Sequence, residues 1–260
     1  MIEFVSLIFG SSGLTRFALF PLDMDGWSKK VIGDNISFYN CLSPVDKRYF
    51  EHRVIKFIEH HNFIGREGVE VTAKMKLLIA ATAVMLTFGM RRYLFLQFRN
   101  IIIYPKNYFS TVTKKQHKGE TNPKYGTIVF SWDDFLEGIR VEDNNINLGL
   151  HELTHALHFS FLRHKSMTAV VFLDHFRNLL ERLKDKKLQR KIVASGYIRS
   201  YAYRNQFEFL SVLVEHFFET PQEFHDKLPE VYSLVKRMLN LDILEIFAAK
   251  PVVLRSESTY

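Results

Sequence analysis

One cysteine, Cys41, is all the thiol that 260 residues contain. A lone thiol cannot close an internal disulfide, which excludes a disulfide-stapled secreted domain and favours a reducing compartment. No glycine-rich phosphate loop, internal repeat or low-complexity linker interrupts the chain. Long apolar runs are scarce too. The greasiest, LLIAATAVMLTFGM at 77–90, falls short of the ~20 residues a spanning helix needs and reads as a buried core helix. The N-terminal stretch MIEFVSLIFGSSGLTRFALF is apolar, but Glu3 is acidic and no basic region precedes it. Gly10, Gly13 and Arg16 then break it, so it makes a poor export signal. These features argue for a cytoplasmic protein and against a membrane partner.

What is present is ordinary in amount. Hydrophobic residues make up 47%, enough for one sizeable core. The formal net charge of +7 raises the question of an anionic partner. The cations are dispersed, however. The densest run, LKDKKLQRK at 183–191, carries an acid and reads as a solvated helix face, and TKKQHKGE at 113–120 reads as a loop. Nucleic acid is therefore not the expected partner.

Residues 1–29 read as an extension of uncertain structure and 30–255 as a single domain, helical at first, then sheet, then helical again. Ser43 as cap, Pro44 in the first turn and Asp46 start a helix. A second runs from about Thr72 and is ended by Gly89. RRYLFLQFRNIIIYP at 91–105 reads as strand structure, β-rich at Ile101–Tyr104 and stopped by Pro105, residues 106–126 as a loop, and GTIVFSWDDF as a second strand. Helices follow around 166–185 and 188–194. NQFEFLSVLVEHFF gives another. A further one is started by Thr220 as cap, Pro221 and Glu223 as a capping box, and the last helices run through EVYSLVKRML and DILEIFAA. The fold class is α+β, mostly helical, with a small sheet ahead of the octet HELTHALH at 151–158.

That octet carries the chemistry. On a helix, His151 and His155 share one face with Cβ atoms about 5–6 Å apart, and two such imidazoles can reach one zinc ion. Glu152 lies beside the first and can reach a water on that ion, so the pattern H-E-x-x-H is a zinc site with a built-in general base. Leu148, Leu150, Leu153, Ala156, Leu157 and Phe159 give the helix apolar flanks, and Asn145 or Asn147 can cap it. His158 lies on the same face, as a third ligand or as a support behind one. A catalytic zinc wants a third protein ligand and an open position. Asp174 and His175 lie about 20 residues past His155 and Glu208 roughly 50, with Glu215 two turns beyond; spacing alone does not choose.

The segments NLGLHELTHALH and YAYRNQFEFLSVLVEHFFETPQEF, with GETNPKYGTIVFSWDDFLEG before them, resemble the Mlc titration factor A family of zinc-dependent peptidases over about residues 40–245. The core of that family is similar to the lethal factor metalloprotease, so the resemblance implies a zincin-like fold with a small mixed sheet. It implies Zn2+ held by His151, His155 and Glu208, with Glu152 as catalytic glutamate. It also implies that Tyr201, seven residues before Glu208, donates to an oxyanion, and that Glu215 is structural or supports a ligand from behind. The implied activity is hydrolysis of peptide bonds in a peptide or protein substrate, aminopeptidase action among its forms. By analogy with zincins, the strand Thr127–Trp132 would be the edge that receives an extended peptide. The alternative the resemblance carries is a regulatory protein that sequesters a transcription regulator, with a retained zinc site and little peptidase activity. One position departs from the family: His158 stands where an aspartate is usual, and a role supporting a ligand histidine is expected of it.

Overall fold

The computed structural model describes residues 18, 20–110 and 114–248. Its first helix, α1 (Gly26–Asn35), starts where Asp25 accepts from the Ser28 amide. It thus begins inside the stretch read as an extension, and Met24 and Ser28 are already buried. Residues 1–17 and 19 of that extension, and residues 249–255 of the expected domain, lie outside the described residues. A short α2 (Ser37–Asn40) leads to α3 (Pro44–His60), where Ser43 caps the Asp46 amide as expected. Such caps contribute about 1 kcal/mol. After strand β1 (Asn62–Gly65), helix α4 (Ala73–Leu86) is capped by Thr72 and buried all round from Leu77 to Leu86, as expected for a core helix. Arg53 of α3 donates to the carbonyls of Thr87 and Met90, in the segment just past α4. Gly89 follows the end of α4, but its need is spatial. A Cβ there would lie 2.1 Å from the carbonyl oxygen of Asn240.

The sheet departs from expectation in three ways. Strand β2 (Asn100–Tyr104) takes only the end of the stretch read as strand, residues 91–99 being irregular, while β6 (Thr127–Ser131) forms where anticipated, with Ser131 capping α5 (Trp132–Arg140). The stretch read as a loop, however, holds β3 (Tyr108–Phe109) paired with β4 (Gln116–His117), and β5 (Gly119–Asn122). The main sheet runs β1-β2-β6-β5. The β1–β2 and β2–β6 pairs are parallel, while β5 pairs antiparallel to β6 with Gly119 opposite Phe130 and Asn122 opposite Thr127. The edge beside the octet is therefore β5. Thr127–Ser131 is an interior strand, and Trp132 already belongs to a helix.

The octet lies on α6 (Leu148–Leu162), with Leu150, Leu153, Ala156, Leu157 and Phe161 in the core. Next come α7 (Met167–Arg182), α8 (Lys186–Ala194), a 3-10 turn (Ser200–Arg204) and α9 (Gln206–Glu219). The chain continues through α10 (Pro221–Lys227), α11 (Pro229–Leu239) and α12 (Ile243–Ala248). The capping box at α10 does not form. Thr220 makes no side-chain cap bond; its hydroxyl instead donates to Asn145 Oδ1 at 2.7 Å, a tertiary contact across 75 residues. The result is a mostly helical α+β fold in which α6 packs on α9 on one side and on β5 and β6 on the other.

Candidate metal centre

Asn147 sets the position of α6. Its side chain accepts from the Leu150 amide at 3.0 Å and donates to the Gly138 carbonyl at 2.7 Å. Its own backbone N–H donates to Glu215 Oε2 at 2.8 Å. The same carboxylate accepts from Arg199 Nη2 at 2.7 Å on Oε1, and that oxygen lies 2.8 Å from His151 Nδ1. An oxygen already facing a guanidinium can only accept, so His151 Nδ1 carries the hydrogen. The lone pair of Nε2 is thereby turned to the opposite side of the ring.

On that side the fold brings together His155 from one turn further along α6 and Glu208 from the first turn of α9. Asn205 caps α9 by accepting from the amides of Phe207 and Glu208. His151 Nε2 lies 2.9 Å from Glu208 Oε2 and 3.2 Å from His155 Nε2; His155 Nε2 lies 3.6 Å from the same carboxylate oxygen. These separations bracket the ~3.3 Å edge of a tetrahedron whose ligands lie ~2.0–2.1 Å from a central ion. Among the described residues this is the group of ligand side chains close enough to hold a metal ion. Two imidazoles and one carboxylate form a donor set that suits a divalent metal.

The electrostatics call for a cation at this point. Burial works against a charged His151 ring, yet the hydrogen bonds to Glu208 and Glu215 outweigh it, and its pKa is pushed up to about 10. Burial likewise works against the Glu208 carboxylate, but His151 and His155 hold it well below the usual range.

Glu152 sits on the sheet side, gripped by β5. Thr121 Oγ1 lies 2.9 Å from both Glu152 Oε2 and the Glu152 carbonyl oxygen. Gly119 leaves room for it: a Cβ there would lie 2.7 Å from Glu152 Cγ and 2.8 Å from Oε1. Tyr201, on the 3-10 turn, places its ring edge-on to His151 with centroids 5.8 Å apart, and Arg204 lies over its face at 4.4 Å. Burial and the neighbouring Glu208, to which its hydroxyl donates, push the Tyr201 pKa up to about 12. The phenol is a proton donor throughout the neutral range.

Of the residues singled out in the sequence, His151, Glu152, His155, Tyr201, Glu208 and Glu215 meet here. Asp174 does not: it is exposed on α7 beside Arg177. His158 departs from expectation. It does not back a ligand histidine but sits buried among Phe159, Phe172, Phe176 and Phe207, its Nδ1 without a hydrogen-bond partner. Burial lowers its pKa to about 4, so a neutral ring fills a space among aromatic neighbours.

Sequence reasoning missed Thr121 and Gly119, which sat in the presumed loop, and Arg199, which carried no motif. It also missed Tyr108 on β3, whose buried hydroxyl has no hydrogen-bond partner. Burial first, then Glu120 and Glu152, push the Tyr108 pKa far above the phenol range. No spacing rule signals these four, because each reaches the site through tertiary packing.

Comparison with known proteins adds two findings. A family model described as glucose-regulated metallo-peptidase M90 matches residues 23–239. An uncharacterized protein of Synechocystis sp. is 22% identical over 240 residues, which cover 82% of this chain and 83% of its own.

Proposed function

The chain belongs to the glucose-regulated metallopeptidase M90 family, and on that footing we propose that it is a zinc-dependent peptidase of zincin type with Glu152 as its general base. The observation that carries this reading is the convergence of three donors, His151 Nε2, His155 Nε2 and a Glu208 oxygen, beside a carboxylate held by its own strand. A zinc ion held by these groups would lower the pKa of a bound water towards ~7 and polarise the scissile carbonyl.

The rest is the work of the chain's own side chains. Glu152, oriented by Thr121, accepts a proton from the attacking water and passes it to the leaving amine as the C–N bond breaks. Tyr201 turns its O–H from Glu208 towards the negative oxygen that develops on the substrate; oxyanion donors of this kind are worth about 10²–10³ in rate. Glu215 and Arg199 keep His151 in one tautomer throughout. The substrate lies extended along β5, the outermost strand of the sheet beside Glu152.

The test is metal content and turnover on one set of variants. Wild type and Asp174→Ala should each bind one zinc per chain, and Glu208→Ala should lose it. Glu152→Gln should keep the zinc and lose hydrolysis of a peptide library. Zinc retained by Glu208→Ala would remove Glu208 from the ligand set, and unchanged turnover in Glu152→Gln would remove the base. A wild type that holds zinc, binds a transcription regulator and turns over no peptide would favour the sequestering role instead.

A further inference from the structure

Hydrolysis at this centre makes no use of the +7 charge, yet two segments that meet in the fold carry part of that charge. Segment 91–97, RRYLFLQ, follows α4, and segment 162–173, LRHKSMTAVVFL, joins α6 to α7. Together they carry Arg91, Arg92, Arg163, His164 and Lys165 and contain no aspartate or glutamate. The two are far apart in the chain but line one open groove of about 460 Å³, with Arg91, Arg92 and Leu96 on one wall and Met167 on the other.

The two segments also carry apolar side chains that the core does not use, Leu96 and Met167 lining the groove itself. Met167 is 74% exposed, Leu162 56% and Val170 51%, with Val171 and Leu96 also exposed. On α7, residues 167, 170 and 171 follow the i, i+3, i+4 spacing of one helix face, which the exposed Asp174, beside Arg177, continues at i+7, while Ala169 and Phe172 face inward and are buried. Ser166 caps α7 here, so the positive end of the helix dipole adds to the cations.

From this arrangement we propose that the face docks on the surface of an anionic lipid bilayer. Leu162, Met167 and Val170 enter the headgroup region, and Arg91, Arg163 and Lys165 meet lipid phosphates. The combination decides the occupant. An acidic peptide would use the cations and leave the protruding apolar side chains in water, and a neutral apolar partner would gain nothing from cations that outnumber the nearby carboxylates of Asp174 and Glu59. An anionic membrane surface takes both. No helix among the described residues is long and apolar enough to cross a membrane, so the contact is with the surface and not through it. Helix α6 links the two places. Leu162 lies seven residues past His155, about 10 Å along the axis at ~1.5 Å per residue. Docking would hold the metal centre close to whatever lies at that surface. The inference stands independently of the peptidase reading.

The test is co-sedimentation of the full chain with vesicles of phosphatidylcholine alone, or mixed with phosphatidylglycerol. The protein should pellet with the mixed vesicles and stay in solution with the neutral ones. Arg91→Ala with Lys165→Ala should weaken partitioning about thirtyfold, two cations at ~1 kcal/mol each. Met167→Ser with Val170→Ser should weaken it about tenfold or more through lost apolar burial. Both variants should melt with wild type, since every changed side chain is exposed. Wild type that stays in solution with the mixed vesicles overturns the proposal. So does an apolar variant that pellets as wild type does. Retention on heparin without vesicle binding overturns it equally and assigns the cations to a soluble polyanion.

Discussion

Replacing Glu215 by glutamine tests the claim that a carboxylate behind His151 prepares the metal site. Three donors converge on this side chain: His151 Nδ1 and Arg199 Nη2 on Oε1, and the Asn147 amide on Oε2. It is buried, with 1% of its side chain exposed. Glutamine matches its shape but offers one acceptor atom. With its oxygen towards His151 and Arg199, its NH₂ faces the Asn147 N–H, donor against donor, at the start of α6. A buried group left unsatisfied costs about 1–3 kcal/mol. In a chain of this size each 1 kcal/mol lowers Tm by roughly 2–4 °C, so the metal-free protein should melt roughly 2–12 °C lower. Loss of the negative charge also makes His151 Nε2 a poorer donor, and removing such a partner typically costs about 10–100-fold in metal affinity. Zinc affinity is read by competition with a chelating indicator and stability by thermal melts of the stripped protein. A Glu215→Gln protein with wild-type affinity and an unchanged melt would refute the reasoning, since both effects follow from the same three hydrogen bonds.

Thr121→Val removes the hydroxyl beside Glu152 while keeping the shape of the side chain. It should lower kcat between about ten- and a hundredfold by releasing the base from its geometry, with zinc content and melt little changed and Thr121→Ser restoring the rate. Equal loss in the serine variant would show that the hydroxyl is not what matters. Buried histidines make stability acid-sensitive. Burial lowers the pKa of His158 and His61 to about 4 and that of His216 to about 3. The unfolded chain takes up these protons below about pH 6.5 while the folded one does not, so stability falls as pH drops through that value towards 4. His158→Phe removes one of these groups, and its advantage over wild type in denaturant melts should grow by up to about 3 kcal/mol between pH 7 and pH 4. A difference constant across that range would show that His158 is not held neutral by the fold.

Much of the site's first half is written in local sequence. The cap at Asn147, the one-turn spacing of His151 and His155 and the apolar flanks of α6 need only helix periodicity and capping, forces that act over four or five residues. Ser43, Thr72 and Ser131 follow the same local rules. Thr220 does not, because Asn145 competes for its hydroxyl from 75 residues away. Strand β5 was illegible because GETN has no apolar alternation; its pairing depends on β6 lying beside it. Spacing left Asp174 and Glu208 equal as third ligand. The packing of α9 on α6 separates them, setting Glu208 against both imidazoles and leaving Asp174 in solvent. What the sequence determined by itself is a helix that presents two imidazoles and a carboxylate. The tertiary structure decided which distant groups complete them, because a local pattern sets where a side chain points, and only packing sets what it meets.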